Sequence, residues 1–313
     1  MFSKEKGRTR MKQAVVEIGT NSVKYTVAEL SDGVVSFVKD VNTVTRLGEG
    51  LKDSGMLSAE AMERTARVVA DYVEQAHEDG AEQIEVVGTM ALRSAGNSSR
   101  FEVRVKELAH IGLRIISGEE EARLSFESVL CEVPKSALRD LLVFDLGGGS
   151  TEFVYSCFGK ITRAFSVNIG SVELTEKFLP EAPAPLSAVS RLKAVIRAEL
   201  VKNGVKGRPA CLVGTGGNLT TLFMLKSAMP EYDAENLSGM TVSKTELEAL
   251  IKELACRTFD ERRAMPGMNP ARADIVLAGA CAVSAVMEIT ESRSLTLSLR
   301  GLRHALLAEM LSR

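Results

Sequence analysis

Short apolar runs that end in an acid, turn on a glycine and return as an alternating run occur twice in this chain. Residues 141–144 read as a buried strand with Asp145 at its end, Gly147, Gly148 and Gly149 form a turn of bare backbone, and residues 151–155 alternate back as a second strand. Residues 14–18 form a similar apolar strand with Glu17 near its end, Gly19-Thr20-Asn21-Ser22 is a turn, and residues 23–30 form the returning strand. Laying VVEIGTNSVKYTVAEL over VFDLGGGSTEFVYSCF aligns Glu17 with Asp145 and Gly19 with Gly147. Such internal similarity marks a duplicated unit, and two copies facing each other would bring two loops and two acids to one cleft.

The remaining pattern alternates helices with strands. A third strand is expected near 34–44, then a helix over 58–78 capped by Ser58, with Met62, Ala66, Val69, Val73 and Ala76 on one face and Gly80 ending it. A buried strand at 84–88 delivers residues 89–97 at its end, where α/β sheets place ligand groups. A helix near 99–109 and a strand at 113–116 lead to SGEEEARLSF, in which Ser117 and Glu120 suit a capping box opening a helix. Further on, the pattern predicts a strand at 161–167, a helix over 186–201 and a strand at 211–213 running into GTGGNLTTL, which opens a helix at Asn218. Residues 237–269 read as polar and helical with a loop at Pro266-Gly267, followed by an apolar helix over 271–288, a strand at 294–297 and a terminal helix over 302–311.

Composition narrows the class. A chain of 313 residues, 45% hydrophobic and 26% charged, can bury a sizeable core and suits two domains. A net charge of −2 gives no whole-chain attraction for nucleic acid or an anionic membrane, so neither partner is expected, and a polyanionic substrate would need a local basic patch. The five cysteines, Cys131, Cys157, Cys211, Cys256 and Cys281, are scattered and odd in number, and read as reduced, mostly buried thiols of a cytoplasmic protein. His77, His110 and His304 are isolated and read as surface or packing residues. The basic stretch before residue 14 lacks an apolar signal core and reads as a frayed tail, with Met11 a candidate start.

The glycine turns carry the chemistry. Backbone N–H groups freed of side chains can point at one anion, Ser150 adds a hydroxyl, and Asp145 is placed to hold a divalent cation against it, which together suggest phosphate and magnesium. Arg93 is a candidate phosphate clamp, because guanidinium matches phosphate oxygens in pairs. Glu119, Glu120 and Glu121 suit the positive end of a helix dipole, and a carboxylate there beside a phosphate could also accept a proton from an attacking water.

Taken in order, EIGTNSVKY, GTMALRSAGN, ISGEEEARLSFESV, VFDLGGGSTEFVY, VGTGGNLTTL, ARADIVLAGACAV and SLRGLRHALLAEM resemble the exopolyphosphatase/guanosine pentaphosphate phosphohydrolase (Ppx/GppA) family, of the actin, Hsp70 and sugar-kinase superfamily. The resemblance implies an α/β fold of two RNase H-like lobes around a cleft: residues 12–125 with the terminal helix 300–313, and residues 126–299. It implies Glu121 as catalytic base, Asp145 with Glu17 at a Mg²⁺ ion, and Arg93, Asn21, Ser22, Gly147, Gly148, Gly149 and Ser150 at the phosphates. The short form, without further C-terminal helical domains, and a homodimer are also expected. Two positions depart from the family pattern: Glu17 stands where Asp is usual, and His304 where Glu is usual.

The activity implied is Mg²⁺-dependent hydrolysis of the terminal phosphate of inorganic polyphosphate, with guanosine pentaphosphate (pppGpp) as the alternative substrate. Two readings of other classes are an actin-like nucleotide-dependent kinase or switch, using GTGGNLTTL as a nucleotide loop, and a non-catalytic phosphate or alarmone sensor, if Glu17 disables the site.

Overall fold

The computed structural model describes residues 10–312; residues 1–9 of the basic tail lie outside the described residues, whereas Met11–Gln13, expected to be frayed, are held in the first strand by pairing with the second. In the first of two sheets, β1 (Met11–Ile18), β2 (Ser22–Ser31) and β3 (Val34–Val44) form an antiparallel meander, and β4 (Gln83–Gly88) and β5 (Leu113–Ile115) extend it in parallel with β1. In the second, β6 (Leu141–Leu146), β7 (Thr151–Cys157) and β8 (Lys160–Val167) repeat the meander. There β9 (Cys211–Thr215) runs parallel to β6, β10 (Thr241–Ser243) forms an antiparallel edge, and β11 (Ser294–Leu297) lies between them. The orders β3-β2-β1-β4-β5 and β8-β7-β6-β9-β11-β10 are one plan used twice, as the aligned hairpins predict.

Burial explains why β1 and β6 read as unbroken apolar runs: both faces of each are covered. One side of β1 packs with the helix Ala59–Glu78 through Val16, Ala66, Val69 and Val73. The other side meets the terminal helix Leu302–Leu311, where Val15, Ala28 and Val87 pack with Leu302, Leu306 and Met310. In the second sheet, Leu142, Phe144 and Leu146 face the apolar helix Val276–Ile289. The helix Gly118–Leu130 is shared, since Leu124 enters the core beneath the first sheet while Ala122, Phe126 and Val129 pack on β6 and β7 of the second. Its N-terminus therefore stands where the two sheets meet.

Several local features differ from the sequence pattern. Residues 89–97 are not all loop, because Met90–Ser94 makes a short helix. The stretch 237–269 is broken by β10 and by helices Lys244–Ala255 and Phe259–Arg263, and Pro270 opens a 3-10 turn that delays the next helix to Val276. Ser117 Oγ accepts from Glu120 N at 3.1 Å, but the Glu120 carboxylate turns to Arg114 at 2.6 Å, so only half of the capping box forms. Only Cys281 is buried; Cys131, Cys157 and Cys256 are exposed because they sit at the ends of elements, where the chain turns into solvent. No helix among the described residues is long and apolar enough to cross a membrane.

Candidate active site

The two hairpin loops have the same internal geometry. Gly19 N donates to Ser22 O at 2.9 Å, and Gly147 N donates to Ser150 O at 2.9 Å. The loops touch, for a Cβ on Gly148 would lie 3.0 Å from Asn21 Cβ. The second loop lies close against main chain: a Cβ on Gly170 would fall 2.2 Å from Gly149 N, and Ser171 N and Val172 N donate to Gly147 O and Gly148 O at 3.2 and 2.9 Å. Between the loops lies a cavity of about 50 Å³, room for a few waters, lined by Asn21, Ser22, Gly147, Gly148, Gly149, Ser150, Glu17, Asp145 and Glu121. The side-chain amide N of Asn21 is buried without a partner among the described residues, a donor awaiting an acceptor.

Glu121 sits in the first turn of Gly118–Leu130 and is 9% exposed. Arg93 Nη1, on the arginine expected at the phosphates, donates to Glu121 Oε2 at 2.6 Å and to Ile116 O at 3.0 Å. Burial and the neighbouring Glu152 nevertheless push the Glu121 carboxyl well above the usual carboxylate range; Arg93 opposes them and loses. A carboxylate so raised takes up a proton more readily than an exposed one.

Three residues of this cavity carry no flag in the sequence. Glu152, 2% exposed, lies directly across the β6–β7 ladder from Asp145 and accepts from Ser150 Oγ and Ser166 Oγ at 2.7 Å each. Burial and Asp145 push its carboxyl up to about 7. Asp145 accepts from Ser125 Oγ at 3.1 Å and is raised by burial in turn. Lys24 faces Glu17 across β1–β2. Arg272 is buried beside Gly217, its guanidinium makes no hydrogen bond or ion pair among the described residues, and burial draws that group down to about 10. Glu152 was hidden by the alternation of its strand, and Arg272 by a polar turn; Asp145's register partner is the signal that could have found Glu152.

Glu17, expected beside the metal, has Oε1 2.6 Å from Lys24 Nζ and Oε2 3.8 Å from Arg303 Nη1. These cations hold its carboxyl below the usual range against the opposing effect of burial. His304, the second departure, stacks edge-on against Phe37 and accepts from Gly301 N at 3.1 Å, capping the terminal helix.

The donor chemistry suits a hard divalent cation. Asp145, Glu152 and Glu121 crowd three buried carboxylates, each raised in pKa, around one small space, and a cation would relieve that repulsion. No group of three such side chains is already gathered at metal-binding geometry among the described residues, so waters or substrate oxygens would complete the shell. A second cavity of about 520 Å³ adjoins the first, shares Lys24, Asp145 and Arg272 with it, and is walled by Tyr232, Met268 and Arg303.

The Ppx/GppA phosphatase family matches residues 26–313. Exopolyphosphatase 2 of Mycobacterium tuberculosis is 33% identical over 283 residues, 86% of this chain and 88% of that protein. A guanosine-5'-triphosphate,3'-diphosphate pyrophosphatase of Vibrio vulnificus is 28% identical over 305 residues, 96% of this chain but 59% of that longer protein. The crystal structure of the Aquifex aeolicus Ppx/GppA family member superposes with a TM-score of 0.81 at 31% identity, covering 97% of this chain and 99% of that one. Paired glycine loops, a raised glutamate at their meeting point and likeness over nearly the whole length lead to one conclusion: the chain belongs to the Ppx/GppA phosphatase family and is a phosphoanhydride hydrolase.

Proposed function

We propose that the chain is an exopolyphosphatase that removes the terminal phosphate of inorganic polyphosphate with Mg²⁺. The observation that carries this reading is a buried, pKa-raised Glu121 at the junction of two anion-ready loops. Amides of both loops and the free Asn21 amide receive the terminal phosphoryl oxygens. Lys24 and the unpaired Arg272 meet the charge of the departing chain. Glu121 takes the proton of a water as its oxygen bonds to phosphorus, the bridging P–O bond breaks, and orthophosphate and a chain one unit shorter leave. Arg93 holds Glu121 in place for that transfer. Asp145 and Glu152 would hold the Mg²⁺, which withdraws charge from the phosphoryl oxygens.

The larger cavity favours a second reading. Its mixed wall of Tyr232, Met268, Pro270 and Asn269 suits a nucleoside, so pppGpp is the alternative substrate. Orthophosphate release from long polyphosphate, short polyphosphate and pppGpp, measured in parallel, separates the two. Release that prefers polyphosphate and falls on the order of 10²- to 10⁴-fold in Glu121→Gln is expected. Binding of all three without release would replace the enzyme with a sensor.

A further inference from the structure

The two hairpins are copies in backbone and opposites in charge. At the second ladder pair from each loop, β6–β7 sets Asp145 against Glu152, whereas β1–β2 sets Glu17 against Lys24. The first pair has no cation at ion-pair distance among the described residues. The second is neutral within itself, with Glu17 Oε1 2.6 Å from Lys24 Nζ and Oε2 on the side of Arg303.

Arg303 is fixed in its turn. Its Nε donates to Thr26 Oγ1 at 2.7 Å and its Nη2 to Asp40 Oδ2 at 2.7 Å. Lys24 lines both cavities and Arg303 the larger one. A buried carboxylate flanked by two cations is a poor ligand for a third positive charge, because recruiting it would take from Lys24 its counter-ion and set both cations against the metal. Length matters as well. An aspartate at position 17 would draw its carboxylate back by roughly 1.5 Å and lose its hold on the lysine.

We propose that Glu17 is a positioning residue for the anion side of the cleft: it anchors Lys24 beside Arg303, where the two meet substrate phosphates, while the divalent cation is held from the hairpin of the second lobe alone. The duplicated loops have thus divided their labour, one presenting cations and the other collecting carboxylates. This assignment rests on the phosphohydrolase reading above.

Two measurements test it together. Mn²⁺, as a stand-in for Mg²⁺, is titrated by electron paramagnetic resonance against the free wild type, Glu17→Gln, Glu17→Asp and Asp145→Asn. Asp145→Asn should bind Mn²⁺ at least about tenfold more weakly, and both Glu17 variants within about twofold of wild type. In steady-state assays with Mg²⁺, Glu17→Asp and Lys24→Gln should raise KM for polyphosphate about ten- to a hundredfold, with kcat changing far less. Glu17→Asp keeps the buried charge, so the assignment stays testable if Glu17→Gln does not fold. Loss of Mn²⁺ binding in a folded Glu17 variant, matching that in Asp145→Asn, overturns the assignment, and so does an unchanged KM in Glu17→Asp and Lys24→Gln. A wild type that neither binds Mn²⁺ nor releases phosphate overturns the parent reading instead.

Discussion

Arg93 shows how a residue recognised from its motif can carry a contact that the motif does not reveal. Its place at the end of β4 is legible, but its partner is not, because Glu121 arrives from a separate helix 28 residues further on. The contact gives a signed prediction. Arg93 favours the ionised form of Glu121, so Arg93→Gln should raise the carboxyl further and shift the acid limb of the kcat profile to higher pH by about 1 to 3 units. A pH series of kcat for both proteins checks it, and an unmoved limb would detach the arginine from the base. Glu152 and Arg272 escape local patterning for a physical reason. Neither residue type is unusual in its local pattern, and their burial beside other charges comes only from folding.

At the scale of elements, the repeated strand, acid, glycine and strand were legible because both hairpins are buried on both faces and so retain apolar runs. β10 was not, since three residues in a polar stretch carry too little pattern to register. The loop floor yields a prediction that rests on space alone. In Gly170→Ala the new methyl would meet main chain of Gly148 and Gly149, which cannot rotate away as a side chain could. The variant should fold with a loss of about 1–3 kcal/mol and lose at least about tenfold in kcat/KM, read by denaturant melts beside turnover. The terminal helix offers another. Arg303 holds Asp40 on β3 well below the usual carboxylate range, despite burial acting the other way. That stabilisation is present above the unfolded carboxyl value near 3.9 and fades as pH falls toward the depressed folded one. Asp40 is 33% exposed, so Asp40→Asn should cost about 1–2 kcal/mol at pH 7, with the gap to wild type shrinking by pH 3 in urea melts.

At the scale of the whole molecule, two similar lobes share one helix and are tied across the cleft by a few polar contacts. Arg46 pairs with Asp274 at 2.7 Å, Lys52 with Glu173, and Gly50 N donates to Glu176 at 3.3 Å. The Arg46–Asp274 pair is half in solvent, so its worth is about 0.2–1 kcal/mol and salt screens it. Asp274→Asn should therefore raise KM about two- to fivefold at low ionic strength, and the difference should vanish in roughly 0.5 M salt, which parallel KM series would show. The placement of Leu302–Leu311 has a consequence of its own. The helix covers β1, yet it follows β1 in the chain only after every strand of the second sheet. Until then Val15, Ala28 and Val87 remain an uncovered apolar face, and Arg303 does not yet exist to meet Glu17. A nascent chain arrested before Leu302 would carry both loops and the base, remain inactive, and present that bare face to chaperones.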